Sequence, residues 1–146
     1  LGCQALRQFT VEIDYDAERV RFHAPGSYRT PAGAVVVKMR LEAGRPAIPG
    51  TLEVAGGPPI AAHFILDSGS NHAVTLLPGL AERENLPRPG QRALDDPAMG
   101  VAGLSPAILV SGQSLRIGEL AIGKPLVRIR QAGRSGEGLI GGEILK

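Results

Sequence analysis

The chain has 146 residues, which is enough for one domain with a modest hydrophobic core. Its 20 glycines and 12 prolines, with β-branched clusters such as Val35 to Val37, predict many short strands joined by turns. No apolar run approaches the roughly 20 residues needed to cross a bilayer, so no membrane segment is predicted. The net charge is only +2, and the basic residues are dispersed with no aromatic residues interleaved. Arg128 and Arg130 alternate with Val127 and Ile129, which predicts a solvated strand face. These features argue against nucleic acid as a partner.

The first 33 residues predict a hairpin followed by a linker. Apolar and polar residues alternate in residues 10–15 and again in residues 19–22, with a turn at residues 16–18. Such alternation is typical of a half-buried β-hairpin. Residues 24–33 are rich in Pro and Gly and are interpreted as a linker.

The rest of the chain predicts a mainly β unit with one helix. The predicted strands are residues 34–41, 51–54, 60–66, 107–110, 114–117, 119–122 and 126–129. Residues 45–49 are expected to be an extended or turn segment, and residues 88–99 a loop. A helix is predicted at residues 78–86, because Pro78 suits a first turn and Pro87 ends it.

Asp67 is the strongest candidate for a catalytic residue. It follows the apolar run of residues 60–66 and precedes Ser68, Gly69 and Ser70. A buried strand would fix the carboxylate, Gly69 would permit a tight turn, and the two hydroxyls could hydrogen-bond around it. The same tetrapeptide also forms ordinary surface turns, so the motif alone does not decide the function.

Three segments together resemble the pepsin–retropepsin superfamily of aspartic proteases, in its retroviral-like and bacterial members. Residues 64–70, FILDSGS, are similar to the active-site segment, in which hydrophobic residues precede Asp-[Ser/Thr]-Gly-[Ala/Ser]. Residues 138–145, GLIGGEIL, are similar to the element in which two hydrophobic residues precede a glycine and a short helix; here these are Leu139, Ile140 and Gly141. Between them the family places a flap over the substrate, and the candidates are Met99, Gly100, Val101, Ala102 and Gly103.

The resemblance implies an all-β fold: a closed acid-protease barrel lobe with one or two short helices. It also implies a reaction. Two carboxylates about 3 Å apart cannot both ionise, so they share a proton and activate a water that attacks the scissile carbonyl. Asp67 would supply one carboxylate. Ser68 would brace the pair against the opposite lobe, and Ser70 would hydrogen-bond the outer carboxylate oxygen. No cofactor is expected.

The second carboxylate must come from outside the segment around Asp67. Asp14, Asp16, Asp95 and Asp96 all lack the Ser/Thr-Gly continuation. The resemblance therefore implies either a homologous lobe in the same precursor or a twofold-related copy of this chain.

The two ends of the chain favour the first arrangement. Residues 1–7 align without gaps on residues 140–146, so the chain begins with a segment like the one that ends it. Read with the resemblance, residues 1–33 would be the tail of a preceding lobe, with a short helix, the hairpin and the linker. Residues 34–146 would be the second lobe.

Rival motifs are weaker. Residues 136–141 match the dinucleotide-binding pattern, but only residues 142–146 follow, too few for its roughly 30-residue βαβ unit. Residues 118–124 imitate a phosphate loop, but Pro125 stands where Ser or Thr would hold magnesium. His63, Asp67 and His72 could suggest a metal site. A histidine beside a strand end is more often packed or solvated, so no metal is predicted.

The sequence thus predicts an aspartic endopeptidase lobe that cleaves an extended polypeptide laid beneath the flap. The alternative is a non-catalytic module with the protease fold that binds peptide or dimerises. A third arrangement, swapping of the N-terminal tail between two chains, would give a dimer that is lost on removing residues 1–30. The single Cys3 cannot form an internal disulfide and leaves the compartment open. Bacterial enzymes of the resembled type are often exported.

Overall fold

The computed structural model of the chain is mainly β and describes residues 7–100, 103–133 and 136–146, with the backbone alone at residues 98–100. The strands are β1 (Thr10–Asp14), β2 (Arg19–His23), β3 (Arg40–Glu42), β4 (Arg45–Val54), β5 (Ile60–Asp67), β6 (Val74–Leu76), β7 (Ala93–Asp95), β8 (Ala98–Gly100), β9 (Gly103–Ser105), β10 (Ala107–Ile117), β11 (Leu120–Gly123), β12 (Leu126–Arg130) and β13 (Gly138–Gly141). Two short helices, α1 (Pro78–Arg83) and α2 (Gly142–Leu145), lie in the described ranges. No helix in this part of the chain has the length and apolarity to span a membrane.

Six strands close into a barrel. Around it they follow the order β4, β5, β13, β6, β12 and β10, and β10 pairs with β4 to complete the circle. Strand β3 extends the sheet beside β4, while β7 and β11 pair with the two halves of the long β10. Closure removes the open sheet edges that would otherwise expose unpaired backbone groups. The predicted closed all-β barrel with one or two short helices is confirmed.

The hydrophobic core fills the barrel. Along β5, Ile60, Ala62 and Phe64 are buried while Ala61 is exposed, as the two-residue period of a strand requires. Phe64 is fully buried and is accommodated by glycine on a neighbouring strand: a Cβ at Gly138 would lie 2.7 Å from its ring. The largest fully buried side chains are Phe64, Leu52, Ile60, Leu76, Leu80, Leu115, Ile129 and Ile140. Each contributes about 1.5–3 kcal/mol by leaving water.

The predicted strand at residues 34–41 is wrong over most of its length, because only Arg40–Glu42 pairs with another strand. Among the described strands the β-branched run has no partner, and Val36 is exposed. Val37 instead packs partly on the core and lies beside the turn at Gly118. High β-propensity alone therefore did not produce a strand here.

Four further boundaries differ from the prediction. Residues 45–49 and 51–54 form the single strand β4, since the fixed φ of Pro46 and Pro49 is compatible with extended backbone. Residues 107–110 and 114–117 form one strand, β10, with a register shift between Gly112 and Ser114. The predicted loop at residues 88–99 contains β7 and the first two residues of β8. The predicted helix is confirmed but ends at Arg83, and Asn85 adopts a left-handed φ of 52° after it.

The predicted N-terminal hairpin is confirmed, and β1 and β2 form a two-stranded sheet of their own. The register places Val11 opposite Phe22 and Ile13 opposite Val20, so one face is apolar. The other face carries Glu12, which accepts hydrogen bonds from His23 and Arg21. The bond from His23, together with the bond and charge of Arg21, holds the pKa of Glu12 below its ordinary value. The helix predicted before this hairpin falls on residues 1–6, which lie outside the described ranges.

Arg88 is a buried cation that joins the segment after α1 to the β4–β5 turn. Its Nη1 donates to the carbonyl of Val54 at 2.7 Å, and its Nη2 donates to the carbonyl of Pro58 at 3.1 Å. Gly57 lies against the guanidinium, and a Cβ there would be 2.7 Å from Arg88 Nε. A side chain at residue 57 would therefore force the guanidinium to shift.

Replacing Arg88 with methionine should lower the free energy of unfolding by about 2 kcal/mol, because two carbonyls lose their charged donor. Arg92→Met is the matched control, since Arg92 is exposed four residues later. Urea denaturation followed by circular dichroism measures both variants. Equal stability of the two would show that the buried guanidinium does not hold this turn.

Candidate active site

Asp67 lies where two predicted motifs meet. It is the last residue of β5, which runs parallel to β13, and the register pairs Asp67 with Gly141. Leu139 and Ile140 pair with the two residues before Asp67. The fold therefore brings the Asp-Ser-Gly-Ser segment and the hydrophobic–hydrophobic–Gly segment to the same end of two adjacent strands.

Residues 68–73, here called the Asp67 loop, pass over the end of β13. The chain leaves β5 on one side of β13 and returns as β6 on its other side. The Ser70 amide donates to the Asp67 carbonyl at 3.0 Å and closes the turn. The Gly69 amide donates to Asp67 Oδ1 at 3.1 Å, so the backbone of the loop holds the carboxylate.

Both serines of the motif lie close to Asp67 in the loop. Ser68 is exposed beside Gly69, while Ser70 and Asp67 are half-buried. The Ser70 hydroxyl accepts a hydrogen bond from the His72 amide at 3.4 Å. The bond from Ser70 to the outer carboxylate oxygen, implied by the family resemblance, stays a prediction for the assembled site.

Gly141 lies directly beneath the Asp67 loop. Its amide donates to the Ala73 carbonyl at 3.1 Å, and the Gly142 amide donates to the Ser70 carbonyl at 2.7 Å. A Cβ at Gly141 would overlap the His72 carbonyl oxygen and lie 2.8 Å from that of Ser70. The backbone of the loop and that of β13 approach so closely that only glycine fits.

Three of the flap candidates, Met99, Gly100 and Gly103, lie on a second hairpin. Strands β8 and β9 pair antiparallel, with Met99 opposite Leu104 and Gly100 opposite Gly103. Val101 and Ala102 lie outside the described residues. The described part of the Gly-rich stretch therefore pairs as two antiparallel strands, and its role as a flap stays a prediction.

An ion pair holds the base of the β8–β9 hairpin. Arg128 on β12 donates to Asp96 Oδ2 through Nε at 2.7 Å, and the Asp96 amide donates to the Ala107 carbonyl at 2.9 Å. The Arg128 side chain is only 14% exposed, so it is not on the solvated strand face that the alternating sequence suggests. The bond from Arg128, with the nearby charges of Arg128 and His72, keeps the pKa of Asp96 below its ordinary value.

His63, Asp67 and His72 do not form one metal site. His63 precedes Asp67 by four residues on the same strand, a distance of about 13 Å at 3.3 Å per residue. His63 contacts Glu137 instead: its amide donates to Glu137 Oε2 at 2.5 Å. No sequence motif predicts this contact or the Arg128–Asp96 pair, since each joins residues that are distant in the chain.

Gly141→Ala should lower the free energy of unfolding by about 3 kcal/mol, because the added methyl collides with backbone carbonyls that cannot rotate away. Gly123→Ala is the control, because a Cβ there meets nothing within 4 Å. Denaturant titration of both variants measures the difference. A Gly141→Ala protein as stable as Gly123→Ala would refute the close approach of loop and strand.

Asp96→Asn should destabilise the protein by about 1 kcal/mol at neutral pH. Because the pKa of Asp96 is lowered on folding, the pair stabilises fully above the ordinary aspartate value of about 3.9 and loses its effect as pH falls through the lower folded value. The difference from the wild type should therefore shrink at strongly acidic pH. Thermal unfolding measured across this pH range tests this, with Asp95→Asn, at the exposed neighbour, as the matched control.

Comparisons with known proteins address the fold. No protein-family model matches the chain, and a search of curated proteins finds no match. Among solved structures, the chain is similar to a retropepsin-like aspartic protease from Rickettsia conorii, with a TM-score of 0.55 and 17% sequence identity. The similarity covers 77% of this chain and 88% of that one. The chain therefore has a retropepsin-like fold, as the resemblance of its motifs implies.

Proposed function

We propose that the chain is a lobe of an aspartic endopeptidase in which Asp67 supplies one of two catalytic carboxylates. The observation that carries the proposal is the placement of Asp67 at the end of β5, in a loop braced on Gly141. The similar protein from Rickettsia conorii is described as a retropepsin-like aspartic protease, which supports the same chemistry here.

The geometry suits a carboxylate that must keep its position during a reaction. Asp67 belongs to a barrel strand, its Oδ1 accepts the Gly69 amide, and the loop bonds to β13 through Gly141 and Gly142. These contacts fix the carboxylate before substrate arrives, which lowers the cost of organising the transition state. With a second carboxylate about 3 Å away, one group would act as base on a water and the other would donate a hydrogen bond.

The loop leaves room for that second carboxylate. Ser68 and Gly69 are exposed, so an equivalent loop from another lobe can approach Asp67 from the solvent side. The β8–β9 hairpin would close over a peptide in the shared cleft, and Leu104 on it is 69% exposed and available for an apolar contact. The substrate would be an extended polypeptide, which can pair with the hairpin backbone.

The N-terminal segment would complete a preceding lobe. Four large apolar side chains in the β1–β2 hairpin or directly before it are about half exposed: Phe9, Ile13, Val20 and Phe22. Within the described ranges β1 and β2 pair only with each other. A two-stranded sheet of this kind is marginal alone and gains stability by packing on a larger core. We therefore assign residues 1–33 to the tail of a first lobe and its linker, and residues 34–146 to the second.

Asp67→Asn should reduce cleavage of a fluorogenic peptide by roughly a thousandfold, because the amide cannot act as the general base. The assay uses the full-length protein over acidic to neutral pH. Asp16→Asn is the matched control, because Asp16 is an exposed turn aspartate. Activity that survives Asp67→Asn would refute the assignment. Wild-type protein that binds peptides without cleaving them would identify the non-catalytic module instead.

Mixing experiments on the 146-residue chain separate the two sources of the second carboxylate. If two copies form the site, activity per chain should rise with concentration. An equimolar mixture with Asp67→Asn should then fall to about a quarter of the wild-type value, the share of intact pairs. If a preceding lobe supplies the carboxylate, the chain alone should be inactive and the full-length protein should have activity independent of concentration.

A further inference from the structure

Three metal-ligating side chains meet outside the barrel core. Glu42 ends β3, His63 lies in β5, and Glu137 directly precedes β13. One donor atom from each lies within 4.8 Å of the other two, and all three residues are half-buried. They are far apart in the sequence, so only the closed barrel brings them together.

We propose that Glu42, His63 and Glu137 bind one divalent transition-metal ion, with zinc as the best fit. An imidazole nitrogen with two carboxylates suits zinc, whereas calcium and magnesium prefer oxygen ligands alone. Ligands about 2.1 Å from a tetrahedral zinc lie about 3.4 Å from one another. His63 Nδ1 and Glu137 Oε2 are 3.7 Å apart, so a small movement would allow both to coordinate. The fourth position would hold water.

The carboxylates are already oriented by neighbouring groups. Glu137 Oε2 accepts the His63 amide, while Oε1 lies 3.5 Å from both terminal nitrogens of Arg83. Glu42 Oε1 accepts Arg40 Nε at 2.8 Å. Metal-binding carboxylates are commonly held by outer hydrogen bonds of this kind. The two guanidinium groups also offset the two carboxylate charges, so a moderate affinity is expected rather than that of a zinc finger.

The site is open to solvent and separate from Asp67. His63 and Glu137 line a cleft of about 430 Å³, together with Pro49, Thr51, Ala61 and Arg116. His63 lies about 13 Å along β5 from Asp67, so an ion here would not touch the reacting atoms. It would instead join β3, β5 and the start of β13, and two of these strands carry the Asp67 loop and Gly141. Metal binding would stabilise the barrel behind the active site whether or not the lobe is catalytic.

Isothermal titration of the chain with zinc chloride tests the proposal. The measurement uses a Cys3→Ser background, so that the thiolate does not compete for the metal. One ion per chain should bind, and His63→Asn and Glu137→Gln should each weaken that binding at least about tenfold. Substituting Co²⁺ should give the visible absorption of a coordinated ion, which His63→Asn should abolish. Zinc should also raise the melting temperature of the wild type but not that of His63→Asn.

His23→Asn is the matched control, because His23 also contacts a glutamate, Glu12, at 2.7 Å but belongs to no such cluster in the described part of the chain. It should bind zinc like the wild type. If the His63 or Glu137 variants fail to fold, Glu42→Gln tests the same site, because Glu42 is the last residue of the short strand β3. The proposal is overturned if no stoichiometric binding occurs, if it survives both His63→Asn and Glu42→Gln, or if His23→Asn removes it.

Discussion

The close approach of two backbone segments at Gly141 determines the geometry around Asp67. The Asp67 loop crosses the end of β13, and the amides of Gly141 and Gly142 donate to carbonyls of that loop. A side chain at residue 141 would collide with the loop backbone. These hydrogen bonds can therefore form only when residue 141 is glycine. Because β13 lies between β5 and β6, the loop has to pass over it to connect these two strands.

This crossing depends in turn on barrel closure. Strand β13 is parallel to β5 and antiparallel to β6, and the core side chains Phe64 and Ile140 are fully buried between these strands and the rest of the barrel. Glycine at residue 138 makes room for Phe64, which lets β5 and β13 lie side by side up to Asp67. Strand β5 carries His63, and β13 begins directly after Glu137. The inferred zinc site and the Asp67 loop are therefore supported by the same two strands.

The sequence predicted the parts of the fold that depend on local patterns. Short-range patterns predicted the alternating hairpin, the apolar run of β5 and the two glycine-containing motifs around Asp67 and Gly141. The structure contains each of these elements. The strand predicted at residues 34–41 was wrong over most of its length because a strand also needs a partner, and in the described ranges the β-branched run around Val36 has none. Residues 45–49 were expected to be an extended or turn segment, and pairing with β3 and β5 makes them part of strand β4.

Contacts between distant residues were not predictable. Arg88 bonds to carbonyls of the β4–β5 turn, and Arg128 pairs with Asp96 although its alternation with apolar residues indicated a solvated face. The association of His63 with Glu137 likewise requires β5 and β13 to be neighbours, which follows from topology and not from any motif. A single sequence contains the residues of these contacts but not their distances.

The central claim is that Asp67 is one half of a pair of carboxylates. A crystal structure of the full-length protein with a bound transition-state analogue tests it most directly. The account predicts a second aspartate, from a preceding lobe or a twofold-related chain, with its carboxylate about 3 Å from that of Asp67. A structure in which no carboxylate faces Asp67 and the analogue binds elsewhere would contradict it.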